Sequence, residues 1–149
     1  MCSCVHAGLS PDLTSMKAIK DIKRPCPIPL EGLLCDLVWS DPSDQGMGFT
    51  PSPRLCSYIF GRDIVDEFMK RFDFDLIVRG HECCDGYCFA FDRRLVTVFS
   101  APNYCGCERN AAGILFVDEE LSCRFVLIRE TKPLRRGSTV KPDTLEIIN

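Results

Sequence analysis

LIVRGHECCDGYCFAFDRRLVTVFSAPNYCG, Leu76 to Gly106, is the stretch whose reading decides the fold of this chain. It holds three apolar runs, Leu76–Arg79, Tyr87–Phe91 and Leu95–Ser100, set apart by Asp85-Gly86 and by Asp92-Arg93-Arg94. Runs of this length rich in Val, Phe, Tyr and Leu between turn residues read as strands, and the pair around Asp92 to Arg94 reads as a hairpin. Downstream, Ile114–Val117 and Phe125–Ile128 repeat the pattern on either side of Asp118-Glu119-Glu120. Upstream the period changes. Ile64, Val65, Phe68, Met69 and Phe72 line one face of a helix, with Asp63, Asp66, Lys70 and Arg71 on the other.

Nearer the start, Met16, Ile19 and Ile22 are spaced as the buried stripe of a short helix over about 14–23, which Pro25, Pro27 and Pro29 cannot continue. Gly32–Ser40 is apolar enough for a second buried helix, closing at Asp41-Pro42. Ser43–Pro53 carries Gly46, Gly48, Pro51 and Pro53 with few apolar side chains and reads as a long loop. Helices first and strands later give an α+β chain. Residues 1–130 form one folded region, and the polar segment 131–149, with Pro133 and Pro142, reads as a tail.

Composition narrows the function classes. With 46% hydrophobic and 26% charged residues the chain is globular, and no run reaches the roughly 20 apolar residues that a membrane helix needs. The net charge of −3 gives no electrostatic footprint for nucleic acid, and the locally basic stretch from Arg129 to Lys141 reads as solvated. Met1 runs into Cys-Ser-Cys-Val-His, without a basic stretch leading into an apolar one. The expected setting is cytoplasmic or nuclear. Eleven cysteines, an odd number, then read as reduced thiols rather than a disulfide framework. Cys35, Cys56 and Cys123 sit inside apolar patterns as small core residues.

Only two histidines occur, His6 and His81, each where a strand runs into a turn. A strand end is where α/β enzymes hold ligands, and neutral imidazole suits divalent transition metals. Zinc is one reading: Cys2, Cys4 and His6 alternate along one strand face, and Cys83, Cys84 and Cys88 lie near His81 in sequence. The paired C-x₂₋₄-C knuckles of structural zinc sites are missing.

Four segments in order, CVHAGLSPDL, GLLCDLVWSDP, RGHECCDGY and LVTVFSAPNYCG, resemble the phosphoprotein (serine/threonine) phosphatase family, most like its type-one catalytic subunits. The resemblance runs from about Ser3 to about Arg129 and corresponds to the second half of that family's catalytic domain. It implies the second half of a metallophosphatase-type β-sandwich with flanking helices. The family's first half carries GDxHG, GDxVDRG and GNHE, none of which occurs in this sequence.

The resemblance further implies hydrolysis of phosphoserine and phosphothreonine in phosphoprotein substrates at two divalent ions, manganese, iron or zinc. It makes His6 and His81 the histidine ligands of one ion, Arg54 a phosphate-clamping residue and Tyr104 an active-site loop residue. Cys105 falls where the family's loop exposes a cysteine, as a reactive thiol. Because the first-half signatures are missing, at most one partial metal site is expected, with little activity from this chain alone. Its first strand should leave an unpaired edge that favours aggregation, as in a truncated product or fragment. A second implication is non-catalytic: Leu76, Phe89, Leu121, Cys123 and Phe125 match a hydrophobic groove that docks regulatory subunits through short peptides as an added strand. Ala7 stands where the family has glycine, RGHE replaces RAHQ, and Cys107-Glu108-Arg109 replaces an acidic and aromatic trio.

Overall fold

A computed structural model of the chain describes residues 1–129. It is an α+β structure of nine short strands, three α-helices and one 3-10 turn in that range, and it divides into two compact units. Among the described residues, the first comprises Met1–Glu82 with Phe89–Thr97; the second comprises Cys83–Cys88 with the chain from Val98 to Arg129. The tail read from the sequence lies outside the described residues.

The first unit holds most of the four-stranded sheet β1-β5-β7-β6. Its strands are β1 (Cys2–Cys4), β5 (Leu76–Arg79), β6 (Tyr87–Ala90) and β7 (Leu95–Val98). β5 runs parallel to both neighbours, with Cys4 opposite Val78 and Val78 opposite Val96. Burial on both faces explains why β5 and β7 read as continuous apolar runs. Ile77, Leu95 and Val96 are fully buried. β1 has a strand partner on one side only among the described residues.

Helix α3 (Arg62–Phe72) lies where the periodicity puts it, with Val65, Phe68 and Met69 buried. Asp73 closes it in a left-handed C-cap whose N–H donates to the Met69 carbonyl. These side chains share a core with Leu9, Leu13, Phe60, Ile77, Phe91 and Leu95. Helix α1 (Met16–Asp21) starts at Ser15, whose hydroxyl accepts from the Ala18 N–H. Its expected buried stripe is only half-buried, and Ile22 is its cap rather than a helical position. Helix α2 (Leu33–Trp39) buries Cys35, Asp36 and Leu37.

The expected loop 43–53 is a correction. It contains β3 (Phe49–Pro51), antiparallel to β4 (Tyr58–Phe60), which also pairs in parallel with β2 (Asp41–Pro42). The glycines and prolines hid this because an edge strand tolerates proline. β2 is central to the site, since it fixes Asp41.

In the second unit, β8 (Ala112–Val117) and β9 (Cys123–Ile128) form an antiparallel hairpin with Ala112 opposite Ile128. Gly86 sits beside it with φ of 82°, and a Cβ on Gly113 would run into the Gly86 carbonyl. Both positions therefore require glycine. Cys123 is exposed and Cys56 half-buried, so of the three cysteines read as core only Cys35 is buried. Side chains on a two-stranded hairpin have one covered face at most, which is why the apolar pattern overstated Cys123's burial. Among the described residues, no helix is long and apolar enough to cross a membrane.

Candidate functional site

His6 and His81 stand at the ends of neighbouring parallel strands. The β1–β5 register carries on past the strands: the Val5 N–H donates to the Val78 carbonyl and the Gly80 N–H to the His6 carbonyl, at 3.0 and 2.9 Å. Residues 75 positions apart in the chain are thereby brought face to face, with ring centroids 5.3 Å apart and planes tilted by 55°. His81 takes a left-handed backbone conformation, φ 65°, uncommon for a residue with a side chain and concentrated at functional sites. Trp39 packs edge-on against the His81 ring at 5.4 Å. Ala7, which replaces the family's glycine, is fully buried and is not among the positive-φ residues, so its methyl brings no backbone strain.

Asp41 gathers the donors around His81. Its Oδ1 accepts from His81 Nδ1 at 2.9 Å and from Arg79 Nη2 at 2.6 Å; its Oδ2 accepts from Arg54 Nε at 2.5 Å. Burial pushes the Asp41 carboxyl up, but the Arg54 and Arg79 donors and the neighbouring positive charge outweigh it and hold the group below the usual carboxylate range. Burial lowers His81 from its ordinary value against the pull of Asp41, and Arg54 and Arg79 add to the lowering. The ring is therefore neutral at pH 7. Because an ionised carboxylate only accepts, Nδ1 carries the proton and Nε2 keeps its lone pair, the state in which imidazole binds metal.

Arg54 is half-exposed, in a loop closed by the Ser52 N–H to the Ser57 carbonyl at 3.1 Å. Buried Asp36 secures that loop, accepting from Ser57 Oγ at 2.7 Å and, through its other oxygen, from Ser10 Oγ at 2.5 Å. Sequence reasoning missed Asp36, Asp41 and Arg79. The one available signal was a charged residue inside an otherwise apolar run, as in LLCDLVW and LIVRG.

Tyr104 belongs to the second unit, in a 3-10 turn over Tyr104–Gly106. The turn is held by Asn110, whose Oδ1 accepts from the Tyr104 N–H and whose Nδ2 donates to the Ala101 and Ala111 carbonyls. Asn103, Cys105, Gly106 and Arg109 all have positive φ. Tyr104 is exposed, its ring edge-on to Phe99 at 5.0 Å, and Cys105 is exposed as well.

The donor set fits part of a divalent-metal shell. His6 and His81 offer two imidazoles, but no group of three or more His, Cys, Asp or Glu side chains able to hold a metal ion forms among the described residues. Cys2 and Cys4 do not gather with His6 into such a group, nor do Cys83, Cys84 and Cys88 with His81. A C-x-C pair needs further ligands opposite it, and none gathers there among the described residues.

A solved protein serine/threonine phosphatase from Saccharomyces cerevisiae, with similarity to human phosphatase PP5, matches with a TM-score of 0.77 at 30% sequence identity. The match covers 87% of this chain and 44% of that phosphatase, so the chain spans less than half the length of the structure it resembles. Residues 2–85, the segment holding both histidines, Asp41 and Arg54, match the calcineurin-like phosphoesterase family. With its fold a partial metallophosphatase fold, the chain belongs to the calcineurin-like phosphoesterase family.

Proposed function

We propose that the chain supplies one part of the catalytic site of a protein serine/threonine phosphatase, with His6 and His81 as two ligands of one divalent ion. The observation that carries this reading is the pair of facing imidazoles, one of them held by Asp41 with its Nε2 lone pair available. Divalent ions in such a site polarise the phosphoryl group and activate the attacking water. Arg54 offers a guanidinium fork that suits phosphate oxygens, and its Nη nitrogens are not used by its bond to Asp41, which runs through Nε. The role of Tyr104, which lies in the other unit, rests on the resemblance of its loop alone. Two imidazoles make an open shell, so the remaining ligands come from outside the described residues, and the chain by itself turns over phosphopeptide at background rate.

The test uses the full chain and Mn²⁺, an ion that prefers harder ligands than thiolate. Paramagnetic broadening of the His6 and His81 ring signals at the same concentration, lost for both on replacing either one, is the expected result. Independent broadening of the two rings would overturn the shared site. Mn²⁺-dependent hydrolysis of a phosphoserine peptide, abolished by His81→Ala, would refute the claim that the chain is catalytically incomplete.

A second, non-catalytic reading has its own support. None of Leu76, Phe89, Leu121, Cys123 and Phe125 lies in the buried core, and Leu121 is 54% exposed. Apolar side chains left partly in water on strands and in the β8–β9 turn suit peptide docking by strand addition. Binding of a phosphatase regulatory peptide that is lost on Phe89→Ala, with folding intact, is the expected result; binding unchanged by Phe89→Ala removes this reading.

A further inference from the structure

We infer that the buried Arg79–Asp41 pair is a positioning unit that sets both the spacing and the tautomer of the two histidines. Arg79 is the largest fully buried side chain of the structure, its guanidinium having no solvent exposure. Nε donates to the Ala7 carbonyl at 2.6 Å, Nη2 to Asp41 Oδ1 at 2.6 Å, and Nη1 to Glu82 Oε2 at 2.8 Å. Longer contacts reach the Ser40 carbonyl at 3.5 Å and Thr97 Oγ1 at 3.4 Å. The first two bonds matter most for the site. One grips the backbone immediately after His6; the other grips the carboxylate that holds His81.

A buried charge of this kind is costly unless it is paired and its donors are satisfied. Here the same planar fork ties β5, which carries it, to the turn after β1, to β2 and to the turn that follows β5. A lysine could not reproduce this, because one ammonium cannot donate in the fixed directions that the fork requires. His81 is held in turn by Asp41, whose Oδ1 lies 2.9 Å from Nδ1 and whose two oxygens are themselves fixed by Arg79 and Arg54, and by a left-handed backbone position. Neither Arg79 nor Asp41 needs to touch substrate. Their role is that of outer partners that fix which ring nitrogen is free and where it points.

This inference deepens the proposed metal role of the histidines, and its test separates the two. The full chain, labelled with ¹⁵N-histidine and free of metal, is observed by NMR at pH 8. His81 is expected with its proton on Nδ1 and with Nε2 unprotonated. In Asp41→Asn the amide can donate to Nδ1, so the proton is expected to move to Nε2, and Mn²⁺ affinity to fall ten- to a hundredfold. Arg79→Gln is expected to shift both histidine spin systems, whereas Thr97→Val leaves them in place. An Nε2-protonated His81 in the unsubstituted chain overturns the inference even if Asp41→Asn does not fold. So does a folded Asp41→Asn with an unchanged tautomer. An Nδ1-protonated His81 that flips in Asp41→Asn, in a chain that binds no Mn²⁺, upholds the positioning unit and removes only the metal reading.

Discussion

Replacing Asp36 with alanine is expected to destabilise the first unit by about 3 kcal/mol, and the magnitude follows from its partners. Asp36 is 1% exposed, and its two oxygens accept from Ser10 Oγ at 2.5 Å and Ser57 Oγ at 2.7 Å. Hydrogen bonds to a charged group contribute about 1.5–3 kcal/mol each, which gives about 3–6 kcal/mol for the two. Alanine also relieves the burial of a carboxylate that has no cationic partner among the described contacts, which offsets part of that sum. A net loss of about 2–4 kcal/mol remains, shared between the turn after His6 and the loop that carries Arg54. Trp39 is the only tryptophan and lies at the end of the same helix, so its fluorescence reports this unit during urea unfolding. With a slope of about 1–3 kcal/mol per molar urea, the midpoint should fall by about 1–3 M. A cycle of Asp36→Ala with Ser57→Ala should show coupling of at least about 1 kcal/mol. A midpoint within about 0.3 M of the unsubstituted chain, or no coupling to either serine, would falsify the view that this carboxylate fastens both loops.

Other expectations follow from single contacts. Gly113→Ala drives a methyl into the Gly86 carbonyl, a backbone atom that cannot turn aside, so the β8–β9 hairpin should lose amide-exchange protection while α3 keeps its own. Arg129 beside Asp85, together with the Ala111 N–H, holds that carboxyl below the usual range. A depressed carboxyl stabilises the fold above its unfolded value of about 3.9 and ceases to do so as pH falls through the folded value, so Asp85→Asn should flatten the acid limb below pH about 4. An acid limb of unchanged steepness would exclude that role. Burial, with Cys56 next to it, raises the Cys35 thiol to about 11, so iodoacetamide at pH 8 should modify the exposed Cys105 and Cys107 well before Cys35. Ser40 Oγ is buried without a hydrogen-bond partner, so Ser40→Ala should change stability by less than about 0.5 kcal/mol, in either direction. A loss above about 1 kcal/mol would reveal a missing partner.

Much of the fold was legible because it rests on local pattern. The 3.6-residue period of Ile64 to Phe72 defined α3, and the apolar runs from Leu76 onward defined β5 to β9, since each depends on neighbours close in sequence. β2 and β3 were not legible. Two- and three-residue strands rich in proline and glycine carry no period, and only pairing with β4 makes them strands. Among the site residues, the histidines could be named because each sits at a strand end. Asp36, Asp41 and Arg79 could not, since a charged residue to be buried has no meaning until its partner, 13 to 40 positions away, is known.

By itself, the sequence determined that this is an α+β chain with one amphipathic helix, a strand-rich second half and two histidines at strand ends. Those properties are written in spacing and residue type. Tertiary structure alone decided that the two imidazoles meet, because that depends on the parallel pairing of β1 with β5 across more than seventy residues. It also decided that a single buried carboxylate and a single buried guanidinium hold them. Long-range pairing and the satisfaction of buried charge belong to the whole fold, and no local window of residues contains either.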